Sequence, residues 1–76
     1  MKSGMEINLA GVFGPIGLLK CHAAINAMAA GQRLSIVLDD PGVVAHLTEI
    51  LHHRSDFEYR IETVADRQRI AIRRNR

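Results

Sequence analysis

The sequence contains no tryptophan, one tyrosine, two phenylalanines, two prolines and a single cysteine, Cys21. One cysteine excludes a disulfide framework within the chain and any structural zinc site built on several thiolates. Aromatic residues at 4% leave little with which to stack the bases of a single-stranded nucleic acid. No apolar run approaches the ~20 residues needed to cross a bilayer. The opening Met1-Lys2-Ser3-Gly4-Met5-Glu6 introduces charge and polarity before any signal-like apolar core. These absences set the expectation of a cytoplasmic protein with no membrane insertion, and the sparse cysteine suits a reducing compartment. There is no internal repeat, low-complexity segment, phosphate-loop spacing, Ser/His/Asp order or convincing carboxylate pair. No cofactor and no metal site is read from the sequence.

What is present is globular in character. Hydrophobic residues make up 47% and charged residues 24% of 76 residues, enough for one small domain with an ordered core over about residues 5–73. A domain this short buries a modest core, so each well-packed side chain matters to its stability. The formal net charge is +2, with four arginines (Arg69, Arg73, Arg74 and Arg76) in the last eight residues.

Periodicity orders the chain. Met5, Ile7 and Leu9 alternate with Glu6 and Asn8, the pattern of a half-buried strand. A glycine-rich turn, Gly11 to Gly17, leads into a helix with Gly14 as cap and Pro15 at its first position. Leu18, Cys21, Ile25 and Met28 form its buried stripe, and Gly31 is expected to cap its C-terminus. Arg33 to Leu38 is a second strand with Leu34, Ile36 and Leu38 on one face; Val37 on the other implies a central, well-covered position. Asp39-Asp40-Pro41 signals the start of a second helix, with both aspartates read as caps. Its stripe is Val43, Val44, Leu47, Ile50 and Leu51, and it ends near His53. Two strands close the chain: Phe57, Tyr59 and Ile61 alternate with Glu58, Arg60 and Glu62, then Ile70 and Ile72 with Ala71 and Arg73, joined by a turn at Ala65-Asp66-Arg67-Gln68. The fold class expected is α/β (α+β): a two-layer sandwich of order β-α-β-α-β-β, two helices on one face of a four-stranded mixed sheet, because each helix has a single apolar stripe to bury.

This arrangement resembles the TusA/SirA-like sulfur-carrier family over nearly the whole chain, from about Glu6 to Arg73. That family carries the signature Leu-Asp-x-x-Gly-Leu-x-Cys-Pro-x-Pro, followed by helix, glycine, strand and Asp-Asp-Pro. The matching stretch is Ile7-Asn8-Leu9-Ala10-Gly11-Val12-Phe13-Gly14-Pro15-Ile16-Gly17, and the segment from Gly31 to Pro41 fits without gaps. Gly11 and Pro15 keep the pattern. Gly14 stands at the position of the family's cysteine, Gly17 at its second proline, and Asn8 where an acidic residue is usual. In the family the cysteine accepts a persulfide sulfur from a cysteine desulfurase and passes it on, for instance toward tRNA thiolation. A thiol at a helix N-terminus is activated by free N–H groups and the helix dipole; glycine at position 14 has none to activate. The resemblance therefore implies the scaffold and a sulfur-trafficking or transport partner, without the relay chemistry.

Four sets of candidate residues follow. Cys21 lies about two helical turns, or ~10 Å, beyond Gly14 and is read as a core residue, the alternative being a displaced sulfur carrier. Gly11, Val12, Phe13, Gly14, Pro15, Ile16, Gly17 and Leu19 form a candidate binding turn. Its backbone N–H groups offer an anion site or simply a well-made cap, and its apolar side chains offer a protein contact unless Val12 and Phe13 fold beneath the sheet edge. Arg33, Arg60, Arg69, Arg73 and Arg74 are candidate contacts to tRNA or other RNA, and the fold also resembles an rRNA-binding domain of a translation initiation factor. His46, Glu49 and His53 share one side of the second helix but span ~10 Å over two turns, too far for one ion, and read as a solvated face.

Overall fold

In a computed structural model the order is β1 (Gly4–Leu9), α1 (Pro15–Asn26), β2 (Arg33–Leu38), α2 (Pro41–His52), β3 (Phe57–Val64) and β4 (Arg67–Arg74). The structure describes residues 4–76; the reading of Met1-Lys2-Ser3 falls outside the described residues. The four strands form one mixed sheet in the order β1-β2-β4-β3. β1 and β2 are parallel, whereas β4 runs antiparallel to both β2 and β3. The last strand thus inserts between β2 and β3, which makes β2 central, and both helices cover one face. No helix among the described residues is long and apolar enough to cross a membrane.

Strand alternation decides what each face carries. Leu9 of β1, Leu34, Ile36 and Leu38 of β2, and Ile70 and Ile72 of β4 all face the helices and are buried. Against them pack Cys21, Ile25 and Met28 from the α1 side and Val43, Val44, Leu47 and Leu51 from α2. Each fully buried Leu or Ile contributes about 1.5–3 kcal/mol to holding the layers together. Leu18 and Ile50, both assigned to buried stripes by periodicity, are only half-buried, and the third buried position within α1, beside Cys21 and Ile25, is Gly17. A Cβ at Gly17 would lie 3.3 Å from the Val12 carbonyl and 3.7 Å from Val43 Cγ2, so this glycine lets α1 sit close to both the preceding loop and α2.

Three local expectations change. α1 ends at Asn26, with Ala27 as cap, rather than at Gly31. Gly31 lies in the following turn at φ 85°, where its N–H donates to the Arg74 carbonyl. The Arg74 N–H donates to the Gln32 carbonyl and its guanidinium to the Met28 carbonyl. These bonds to the end of β4 draw the alanine-rich segment out of the helix, against its propensity. The hairpin turn is two residues, Ala65-Asp66, not four. Val64 pairs with Arg67, and Ala65 at φ 56° makes the reversal, so Arg67 and Gln68 belong to β4. Finally, Val37 is central but only half-buried, because no helix lies on its side of the sheet.

Candidate functional site

Both helices follow the parallel strands β1 and β2, so their N-termini converge at one end of the sheet, beyond the carboxyl ends of those strands. In open α/β sheets that is the usual place for a ligand crevice. Here the crevice is a cleft of ≈ 380 Å³ lined by Gly14, Pro15 and Leu18 of one helix start and by Asp40, Gly42, Val43 and His46 of the other.

Asp40 organises this end. Its Oδ1 accepts the Gly42 N–H at 2.9 Å, the N-cap bond of α2, while Oδ2 accepts the Gly14 N–H at 2.9 Å. One carboxylate therefore ties two helix starts together: it caps α2 and binds the N–H of Gly14, the N-cap residue of α1, whose helix has no side-chain cap bond of its own. The Gly14 N–H bond, first, and those from Gly42 and Val43 hold the Asp40 carboxyl below the ordinary carboxylate range despite some desolvation. Asp39 is not a cap. Its Oδ2 accepts the Gly11 N–H at 2.9 Å and its Oδ1 meets Arg67 Nε at 3.0 Å, tying the first turn to the start of β4. Asn8 makes a local turn, its Oδ1 accepting the Ala10 N–H at 2.9 Å.

The anion reading of this turn changes accordingly. The Gly11 and Gly14 N–H groups are engaged by carboxylates, and an arriving anion would face two negative charges. Gly14 itself has φ 73° and ψ −154°, a backbone region that only glycine occupies readily. The backbone conformation at this position disfavours every L side chain.

The apolar residues of the turn divide. Val12 turns inward, half-buried against the core, so it leaves the exposed set. Phe13, Ile16 and Leu19 remain 58%, 63% and 69% exposed, three large apolar side chains within seven residues along the outer side of the α1 start. Cys21 is fully buried, and burial alone pushes its thiol up.

No protein-family model matches this chain, and no curated protein matches it at a significant level. Its sites therefore rest on their own geometry.

The arginines divide as well. On the helix-free face of the sheet the register forms three rows: Gly4-Arg33-Arg73-Glu58, Glu6-Ser35-Ala71-Arg60 and Asn8-Val37-Arg69-Glu62. Arg33, Arg60, Arg69 and Arg73 thus share one surface. Arg74 does not. It falls on the helix-covered face with Ile70 and Ile72, where its guanidinium lies 5.6 Å from the Phe57 ring centroid and bonds the Met28 carbonyl. Sequence reading missed Arg74's structural part, though period-2 counting from Ile72 would have placed it there. Arg60 pairs with Glu62 at 3.0 Å, and Arg69 reaches Glu6 at 3.4 Å and Glu62 at 3.9 Å. Elsewhere Arg54 pairs with Asp56 at 2.7 Å, and Arg76 donates to Ser55 Oγ. His46, Glu49 and His53 are all exposed, His46 at the edge of the cleft, and no group of three potential metal ligands gathers among the described residues.

Proposed function

We propose that this chain is a TusA/SirA-like binding module, lacking the motif cysteine, that docks a protein of sulfur trafficking or transport in the cytoplasm without itself carrying sulfur. The observation that carries this reading is the ridge of Phe13, Ile16 and Leu19, more than half exposed beside a turn with no thiol. Exposed apolar side chains grouped in this way are costly to leave in water and mark contact surfaces. Two further features support the non-carrier part. The backbone at Gly14 is one that cysteine would occupy only with strain. Cys21 is sealed in the core with a raised pKa, the opposite of an exposed, activated thiolate.

The test compares quantitative capture of partners from the native extract by the wild-type chain and by Phe13→Asp and Ile16→Asp. Both substitutions lie at exposed positions and should leave thermal unfolding nearly unchanged, while a partner retained by the wild type is lost. Equal retention by all three would sink the reading. Incubation with a cysteine desulfurase and cysteine, followed by mass spectrometry, tests the carrier alternative. A one-sulfur mass increase that Cys21→Ser abolishes would establish transfer through Cys21 and overturn the non-carrier claim.

A further inference from the structure

The strongest unabsorbed feature lies on the opposite side of the molecule from the α1 ridge. Of the eight arginines (ten basic residues less Lys2 and Lys20), six have guanidiniums engaged, five by side chains and Arg74 by backbone carbonyls. Arg33 and Arg73 make no side-chain hydrogen bond or ion pair among the described residues, and the β2–β4 register sets them directly opposite one another. Residues 1–3, which precede the strand beside Arg33, contain no carboxylate. Like charges directly opposite in an antiparallel pair destabilise it, so the Arg33–Arg73 pairing works against the fold, offset in part by Glu58 across from Arg73 and relieved further by an anion between the two arginines.

We propose that Arg33 and Arg73 bind a phosphate group on the helix-free face of the sheet. Arg33 and Arg73 line a groove of ≈ 480 Å³ together with the small residues Ser35 and Ala71 and with Arg60. The planar fork of arginine matches the geometry of phosphate oxygens and can engage them two at a time. Opposed residues stand ~5 Å apart and diagonal ones ~7–8 Å. Arg33 and Arg73 thus close on one phosphate, while Arg60 lies within reach of a second. Ser35 supplies a hydroxyl donor within the groove. Glu58, opposite Arg73 in β3, also lines this groove without an ion pair to Arg73, and its charge favours a ligand with one or two phosphates engaged over a long polyanion. No aromatic residue occupies the three rows of this face, so recognition is of the phosphate and not of a base. The phosphate belongs either to a small free compound or to the backbone of an RNA.

The full chain is titrated at low salt with inorganic pyrophosphate and, separately, with a short RNA duplex, following backbone amide shifts. Saturable shifts centred on Arg33, Ser35 and Arg73 are expected. Saturation by pyrophosphate assigns the small phosphate, and saturation by RNA alone assigns the backbone. The double variant Arg33→Gln/Arg73→Gln should weaken binding about tenfold or more, and Glu58→Gln should tighten it. For RNA, the slope of log K against log salt should fall by roughly 0.7–0.9 for each phosphate contact removed. Because the double variant removes a repulsion between exposed residues, its melting temperature should hold or rise, which separates lost binding from lost fold. The proposal is overturned if neither probe saturates, if the double variant binds as the wild type does, or if the shifts centre elsewhere.

Discussion

Changing Gly14 to alanine in each of its two hands tests the central feature of the α1 turn. At φ 73° and ψ −154° the residue lies in a region that costs an L side chain on the order of 1–3 kcal/mol. An L-Cβ there meets nothing within 4 Å, so the whole cost comes from the backbone and not from crowding. Any alanine also restricts the unfolded chain, worth about 0.4–1 kcal/mol in favour of the fold when the native conformation is compatible. For D-alanine the same angles are the mirror image of a relaxed extended conformation near −73° and +154°, so it keeps that gain and escapes the strain. The two epimers share the same unfolded-state entropy, and their difference isolates the strain of about 1–3 kcal/mol. For a domain of this size that corresponds to roughly 4–24 °C in melting temperature, D-Ala above L-Ala. A chain of 76 residues is within reach of total chemical synthesis, and circular dichroism melts of both epimers and the parent give the answer. Equal melting temperatures for the epimers would refute the glycine-only account of this turn. The same penalty applies to Gly14→Cys, so placing a thiol there should lower stability even though space for the side chain exists.

Other outcomes follow from the core and the charges. Leu47→Ala empties a fully buried position beneath the sheet and should cost about 2–5 kcal/mol, enough to leave a domain this small largely unfolded in urea titrations at modest denaturant. Asp40 and Asp56 both have folded pKa values lowered, Asp40 chiefly by the Gly14 N–H and Asp56 chiefly by its bond from Arg54. Their contribution is complete above the ordinary aspartate value of about 3.9 and is lost as the pH falls through the lowered folded values. Thermal melts should therefore decline on the acid side, and Asp40→Asn should start lower and decline less steeply. In the folded chain Cys21 should react with a thiol reagent only as fast as the core opens, whereas denaturant should make it react at once; rapid reaction under native conditions would contradict its burial.

The local code of the chain was sufficient for its elements. Alternation in Leu34-Ile36-Leu38 and Ile70-Ile72 identified the strands that became the centre of the sheet, because a half-buried strand must place one residue in two on the apolar side. Asp40-Pro41 announced α2 because cap and first-turn preferences are satisfied within a few residues. The two-layer architecture followed from counting apolar stripes. What the sequence could not express were relations between residues far apart in it. Asp40 bonding Gly14 across 26 residues, and Asp39 bonding Gly11 and Arg67 across 28, exist only because two parallel strands deliver two helix starts to one end of the sheet. The alanines after Asn26 favour helix locally, yet Arg74 draws their turn to the edge of β4. Register, which no single strand carries in its own residues, set Arg33 against Arg73, with Glu58 opposite Arg73 on its other side, and left both arginines without an ion pair among the described residues while engaging the arginines around them. Short-range preferences act through the chain's own neighbours and can be read in order; hydrogen bonds and charge pairs between elements depend on where the packed layers bring them.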